Sequence, residues 1–97
     1  MTSFYPSASE MQDIVLVFLS SRPLTVPELC VNAFPHLLRK ITEKAVELNG
    51  MTLTQFGFWL DQNYPIEWII VCQAVDELLG DELVEYNELG QLQEINY

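Results

Sequence analysis

Positive charge is the scarcest feature of this sequence. Its 97 residues include 4 Lys and Arg against 14 Asp and Glu, which gives a formal net charge of −10 at pH 7. A surface of this kind repels phosphate polymers and anionic lipids, and it favours solubility. We therefore expect neither nucleic acid nor a membrane as the partner, and we expect a protein with a basic surface instead.

Residues that build common chemical sites are also few, with 2 cysteines and 1 histidine in the chain. Cys30 and Cys72 form no Cys-x-x-Cys pair and lie among apolar residues, which is typical of cysteines that act as small hydrophobes. A disulfide or a metal site at these cysteines is the lesser alternative. His36 has no cysteine or serine placed beside it by a motif, so we expect a surface or capping residue. The acidic pairs match no EF-hand or two-carboxylate pattern. The sequence therefore predicts no enzymatic activity and no cofactor.

Targeting and membrane-spanning patterns are missing as well. The first ten residues, MTSFYPSASE, lack the basic start and apolar run of a signal peptide. The longest early apolar run, IVLVFL at residues 14–19, is far too short to span a bilayer. We therefore expect a cytoplasmic protein.

Apolar residues, by contrast, are abundant. Hydrophobic residues make up 49% of the chain and aromatic residues 11%, which is typical of a folded globular protein. A chain of 97 residues can bury a core of its own, so we predict one domain. Within it, residues 1–34 are predicted as a helical extension and residues 35–97 as the main body.

Capping residues and apolar periodicity predict five helices. Thr25 with Glu28 has the spacing of a capping box, and Ser7 with Glu10 (or Ser9 with Gln12) has the same spacing earlier in the chain. The predicted helices cover residues 9–20, 26–33, 36–48, 54–62 and 65–79, and the cap of the fourth is Thr54, or Thr52 with Gln55.

Short extended segments complete the prediction. Met51–Leu53 is predicted as a strand of one ladder, and Asn49-Gly50 before it is typical of a helix end. Leu83–Tyr86 and Gln91–Ile95 alternate with period two around a turn at Asn87–Gly90, which predicts a β-hairpin.

The order of these elements resembles the winged-helix superfamily, whose layout is helix, short strand, helix, recognition helix and two-stranded wing. The corresponding segments are Pro35–Asn49, Met51–Leu53, Thr54–Gln62, Pro65–Leu79 and Leu83–Ile95. The text AVDELLGDELVEYNELGQL at residues 74–92 is similar to the family phrase in which the recognition helix ends and the wing begins. The resemblance implies a mostly α fold with a small C-terminal β-hairpin, a winged-helix-like domain that carries an N-terminal helical extension.

The outward face of the fifth helix departs from the pattern of DNA-binding members. With Val71, Ala74, Val75 and Leu78 toward the core, a step of 100° per residue places five residues outside. They are Ile66, Ile69, Gln73, Asp76 and Glu77. None is cationic, whereas DNA-binding members carry Arg, Lys, Ser, Thr or Asn there. The sequence therefore predicts that this helix contacts a protein.

Two aromatic residues extend the predicted interaction site. Phe58 lies off the inward stripe of its helix, whereas Phe56 and Trp59 are predicted to be core residues. Trp68 lies next to the outward isoleucines in the sequence. The predicted protein-interaction residues are Phe58, Ile66, Trp68, Ile69, Gln73, Asp76 and Glu77.

Three functional hypotheses follow. The first is a non-enzymatic, acidic protein–protein interaction module (an adaptor, regulator or assembly subunit), with a homodimer as one form. The alternative is a DNA-binding transcriptional regulator, which would need the basic patch of Arg39, Lys40 and Lys44. The third is a mimic of nucleic acid that inhibits a basic DNA-binding protein.

Overall fold

Five helices and a C-terminal hairpin make up the two ranges that the computed structural model describes, residues 5–43 and 50–95. The helices are α1 Ala8–Leu19, α2 Val26–Ala33, α3 Pro35–Glu43, α4 Leu53–Asn63 and α5 Pro65–Gly80. The strands are β1 Val84–Tyr86 and β2 Leu92–Glu94. The predicted fold class, mostly α with a small C-terminal β-hairpin, is confirmed. Residues 44–49, which include the predicted end of the third helix and Asn49, lie outside the described residues.

Side-chain caps fix where α1, α2 and α4 begin. Ser7 Oγ accepts the backbone N–H of Glu10 at 3.2 Å ahead of α1, which agrees with the first of the two predicted spacings. At α2, Thr25 Oγ1 accepts the N–H of Glu28 at 3.3 Å, and the Glu28 carboxylate accepts the N–H of Thr25 at 3.0 Å. This reciprocal pair is the predicted capping box.

The predicted strand at Met51–Leu53 is wrong. Thr52 and Gln55 form a second reciprocal capping box, with Thr52 Oγ1 accepting the N–H of Gln55 at 3.1 Å. Because the cap lies at Thr52, Leu53 is already the first residue of α4.

The short strand that joins the hairpin comes from earlier in the chain. Leu24, which directly precedes the α2 cap, exchanges two backbone hydrogen bonds with Leu92 of β2, at 3.1 and 2.7 Å. On its other side β2 pairs antiparallel with β1, in the register Val84↔Glu94 and Tyr86↔Leu92. The β2 strand therefore lies between Leu24 and β1, and β1 is the outer strand of the hairpin.

The core lies along α5. Its inward residues Val71, Ala74, Val75 and Leu78 are buried, as predicted. The helices α1, α2 and α4 pack around it. The buried apolar residues that α1 adds to the same core are Met11, Val15 and Leu19, and those of the strand segments are Leu24, Val84 and Leu92.

The described helices and the antiparallel hairpin are loosely compatible with a winged-helix shape. None of the helices in the described part of the chain has the length and apolar character needed to cross a bilayer.

Candidate protein-interaction surface

The outward face of α5 presents two large apolar side chains to solvent. Ile66 is 53% exposed and Ile69 is 55% exposed. Gln73 and Asp76 are exposed on the same face. Glu77 is exposed as well, but its carboxylate accepts a hydrogen bond from the side-chain amide of Gln12 on α1. The open part of this face is therefore centred on the two isoleucines.

Trp68 lies on the side of α5 that faces α4, away from Ile66. Its ring packs over Gly57, where an added Cβ would lie 3.3 Å from Trp68 Cη2. The absence of a side chain at Gly57 lets the indole approach the backbone of α4 closely. Trp68 is therefore half-buried, and it packs against the core while reaching the surface between the two helices.

A groove runs between α4 and the hairpin, with a volume of about 380 Å³. We call it the α4–hairpin groove. Residues from α2, α4, α5 and β1 line it, among them Pro27, Leu53, Phe58, Asp61, Trp68 and Tyr86. Phe58 is 63% exposed and Tyr86 is 51% exposed, so both rings project into solvent. Two of the predicted interaction residues, Phe58 and Trp68, thus meet in one open groove.

Phe58 also borders a second depression, which lies beside the groove and shares Thr54 with it. This depression has a volume of about 550 Å³ and includes Met51 and Trp59. Leu53 of the first groove is 46% exposed, and Met51 ahead of α4 is 36% exposed. The apolar surface therefore continues across α4 from the α4–hairpin groove to Met51. Exposed apolar patches of this kind mark binding surfaces more often than isolated exposed residues do.

Carboxylates border this apolar surface. Asp61 lines the groove, and among the described residues that line it none is Lys or Arg. Burial, together with the smaller effects of the charges on Asp76 and Asp61, raises the pKa of the Cys72 thiol to about 11. Burial likewise raises the pKa of Tyr86, with Asp76 and Cys72 adding to the effect. The negative charges of Asp61 on α4 and Asp76 on α5 therefore both act on Cys72, which follows Trp68 by one helical turn.

The predicted basic patch lies on a different helix. Arg39 and Lys40 are exposed on α3, which packs against α2. Lys44, the third member of the patch, lies outside the described residues. The two described members of this patch therefore belong to neither the outward face of α5 nor the α4–hairpin groove.

A buried carboxylate in the first turn of α5 was missed by the sequence analysis. Glu67 is only 5% exposed, and its Oε2 lies 2.6 Å from Nε2 of His36. The His36 ring contacts the rings of Phe34 and Tyr64, with centroids 5.8 and 6.1 Å away. The sequence carried a signal for this burial, because Glu67 precedes Val71 by four residues and therefore lies on the inward stripe of the helix. His36 is exposed as expected, yet it is also the partner of a buried charge.

The thiol of Cys30, on which the charge of Glu67 acts, is not activated as a nucleophile. Burial raises the pKa of Cys30 to about 12, with Cys72 and then Glu67 adding to the effect. A thiol of this kind stays protonated and unreactive near neutral pH. Both cysteines are free, and among the described residues no three His, Cys, Asp or Glu side chains are grouped so that they could hold a metal ion.

Comparisons of the chain with protein-family models, with curated proteins and with solved structures found no match.

Proposed function

We propose that this chain is a non-enzymatic protein-interaction module of winged-helix type, which binds a basic protein as an adaptor, regulator or assembly subunit in the cytoplasm. The observation that carries the proposal is the pair of exposed isoleucines, Ile66 and Ile69, on a helix whose outward face has no cation. Apolar residues there suit a protein contact, and the surrounding carboxylates would steer a basic partner.

The pairing of Leu24 with Leu92 supports the winged-helix assignment with a different correspondence from the one expected from the sequence. In it, α1 is the first helix, Leu24 the short strand, α2 the second helix, α5 the recognition helix and the hairpin the wing. The helices α3 and α4 are then an insertion before the recognition helix. We prefer this correspondence because Leu24 pairs with the hairpin, whereas Met51–Leu53 forms no strand.

The experiment is affinity capture from the native source with matched variants. Ile69→Asp places a carboxylate on the proposed contact, and we expect it to abolish capture of the specific partner. Val17→Asp is the control, because Val17 is 67% exposed on α1 and the substitution changes net charge equally. Unchanged capture by a folded Ile69→Asp variant would contradict the proposal.

Direct contact with DNA is the weaker candidate. Counterion release requires cations at the contact. A DNA-binding helix carries cations on its outward face, whereas α5 carries Asp76 and Gln73 there. A mobility shift that weakens with salt and disappears in an Arg39→Gln/Lys40→Gln variant would favour DNA over a protein partner.

A further inference from the structure

We propose that the α4–hairpin groove docks a basic, amphipathic segment of the partner protein, with a large apolar side chain seated between Phe58 and Trp68 and with Lys or Arg beside Asp61 and Asp76. The inference rests on the proposed function and deepens it, since it adds a second contact surface and states the chemistry of what binds there.

Three aromatic side chains of the groove remain partly or largely open to water. Phe58 and Tyr86 project from the two sides of the groove while Trp68 forms its floor over Gly57. Aromatic residues in such a position offer a large contact area at a small cost in side-chain entropy. An apolar side chain that enters between them would remove three rings from water at once.

The shape favours a polypeptide segment over a small molecule. The groove is open on the sides where Phe58 and Tyr86 are exposed, so it would not enclose a compact ligand. Beyond Phe58 the apolar surface continues into the depression beside Met51 and Trp59. Two adjacent depressions separated by one ring suit successive apolar side chains of a single chain.

The position of the carboxylates sets the charge of the segment. Trp68, Cys72 and Asp76 follow one another at four-residue intervals, so they lie along the same side of α5. Asp76 borders both this side and the outward face of α5, so it continues the line of the groove floor beyond Cys72, and Asp61 lies on the opposing helix. A segment that fills the groove would pass between two carboxylates, and cationic side chains at those points would complement them.

Charge also decides between the alternative occupants. A second copy of the chain would bring a net charge of −10 against an equally acidic surface. Nucleic acids and anionic lipid vesicles would meet Asp61 and Asp76 with charge of the same sign. A basic segment of another protein is the occupant that gains from these carboxylates.

Intrinsic fluorescence provides a direct test, because the chain has 2 tryptophans. In a Trp59→Phe background the emission reports Trp68 alone. The probe is a synthetic helical peptide without tryptophan, with leucines on one face and lysines on the other, and its control replaces every lysine with glutamate. We expect the lysine peptide to shift the Trp68 emission saturably and the glutamate peptide to leave it unchanged.

Charge-matched variants separate a specific groove from general attraction. We expect Asp61→Asn/Asp76→Asn to weaken binding of the lysine peptide by roughly 2- to 30-fold, since each lost exposed ion pair is worth roughly 1.4- to 5-fold in affinity. Glu10→Gln/Asp13→Asn changes net charge equally on α1, where both residues are exposed, and should change the affinity little. Equal weakening in both double variants would overturn the proposal.

A separate variant, Phe58→Ala, tests the apolar contact. Phe58→Ala removes a ring that is 63% exposed, so the fold should persist, and we expect at least a tenfold loss of affinity for the lysine peptide. The proposal is overturned by unchanged affinity in a folded Phe58→Ala protein, by absence of binding in the Trp59→Phe protein, or by equal response to the glutamate peptide or anionic vesicles. A native partner that Ile69→Asp loses but Phe58→Ala retains would overturn the groove and leave the proposed function standing.

Discussion

Glu67 places a carboxylate inside the core at the beginning of α5, where His36 is its hydrogen-bond partner. The distance of 2.6 Å between His36 Nε2 and Glu67 Oε2 is that of a strong hydrogen bond. The N-terminal end of a helix also favours negative charge through its free N–H groups. The His36 side chain is half-exposed to solvent, whereas the Glu67 side chain is buried on α5.

We expect His36→Ala to destabilise the protein by about 1–3 kcal/mol, because a buried acceptor would lose its partner. Glu67→Gln keeps a side chain that can accept a hydrogen bond, so its cost should be smaller. A double-mutant cycle of His36→Ala with Glu67→Ala, measured by urea unfolding, should give a coupling free energy of at least about 0.5 kcal/mol. Additive effects of the two substitutions would show that the pair contributes nothing specific.

The cysteines predict how stability depends on alkaline pH. Burial raises the pKa of Cys30 from 9.0 to about 12 and that of Cys72 from 9.0 to about 11. Between these values the unfolded chain has lost thiol protons that the folded chain retains, so the unfolding free energy falls as pH rises. Chemical unfolding at pH 8, 9 and 10 should show this fall, and a Cys30→Ala/Cys72→Ala variant should show a shallower slope. Equal slopes would contradict the prediction.

At the scale of elements, local chemistry explains why most of the helices could be predicted. The Thr25–Glu28 box is complete within four consecutive residues, and the apolar stripe of α5 repeats within one helix. The strand pairing was beyond such reasoning, because Leu24 and Leu92 are far apart in the sequence and nothing around either residue specifies the other. The α4–hairpin groove was missed for the same reason, although Phe58 was identified, since its walls come from four separate segments.

The two capping threonines allow a matched test of helix starts. We expect Thr25→Ala to cost about 1–2 kcal/mol and Thr52→Ala to cost about 0.5–1 kcal/mol, within the usual range for lost N-caps. The difference arises because Thr25 is buried and its hydroxyl lies 2.9 Å from Glu28 Oε1 as well, whereas Thr52 is exposed. Thermal unfolding of the two variants measures it, and an equal or reversed order would contradict the role assigned to burial.

The close contact between Gly57 on α4 and Trp68 on α5 leaves little room for a larger side chain at position 57. We expect Gly57→Leu to destabilise the protein by about 1–3 kcal/mol, because the side chain would collide with the half-buried Trp68 ring. Gly80→Ala is the control, since nothing lies within 4 Å of an added Cβ there, and it should leave stability unchanged or raise it by up to about 1 kcal/mol. Unfolding followed by Trp68 emission in the Trp59→Phe background reports both the stability and the ring environment.

At the scale of the whole molecule, one core connects the beginning of the described chain with its end. Met11 and Val15 of α1 pack against α5, and Leu24 joins the hairpin that follows α5. The apolar content of the sequence predicted such a core, but periodicity alone does not show which helix covers which face. The exposure of Ile66 and Ile69 could be predicted because the helical period that places Val71 and Leu78 toward the core also places the two isoleucines outward.

The net charge of −10 predicts that salt stabilises this protein. The described fold spans 41 × 40 × 21 Å, so at about 0.01 M salt a Debye length of about 30 Å lets carboxylates repel one another across most of the molecule. At about 0.15 M the length falls to about 8 Å, and repulsion is limited to neighbouring groups. We therefore expect Tm to rise from low to physiological concentrations of sodium chloride. A variant with Glu10→Gln, Asp13→Asn, Asp81→Asn and Glu88→Gln should start from a higher Tm at low salt and gain less from added salt. A Tm that falls with salt in the parent chain would contradict the prediction, because it would mean that attractive charge pairs outweigh the repulsion.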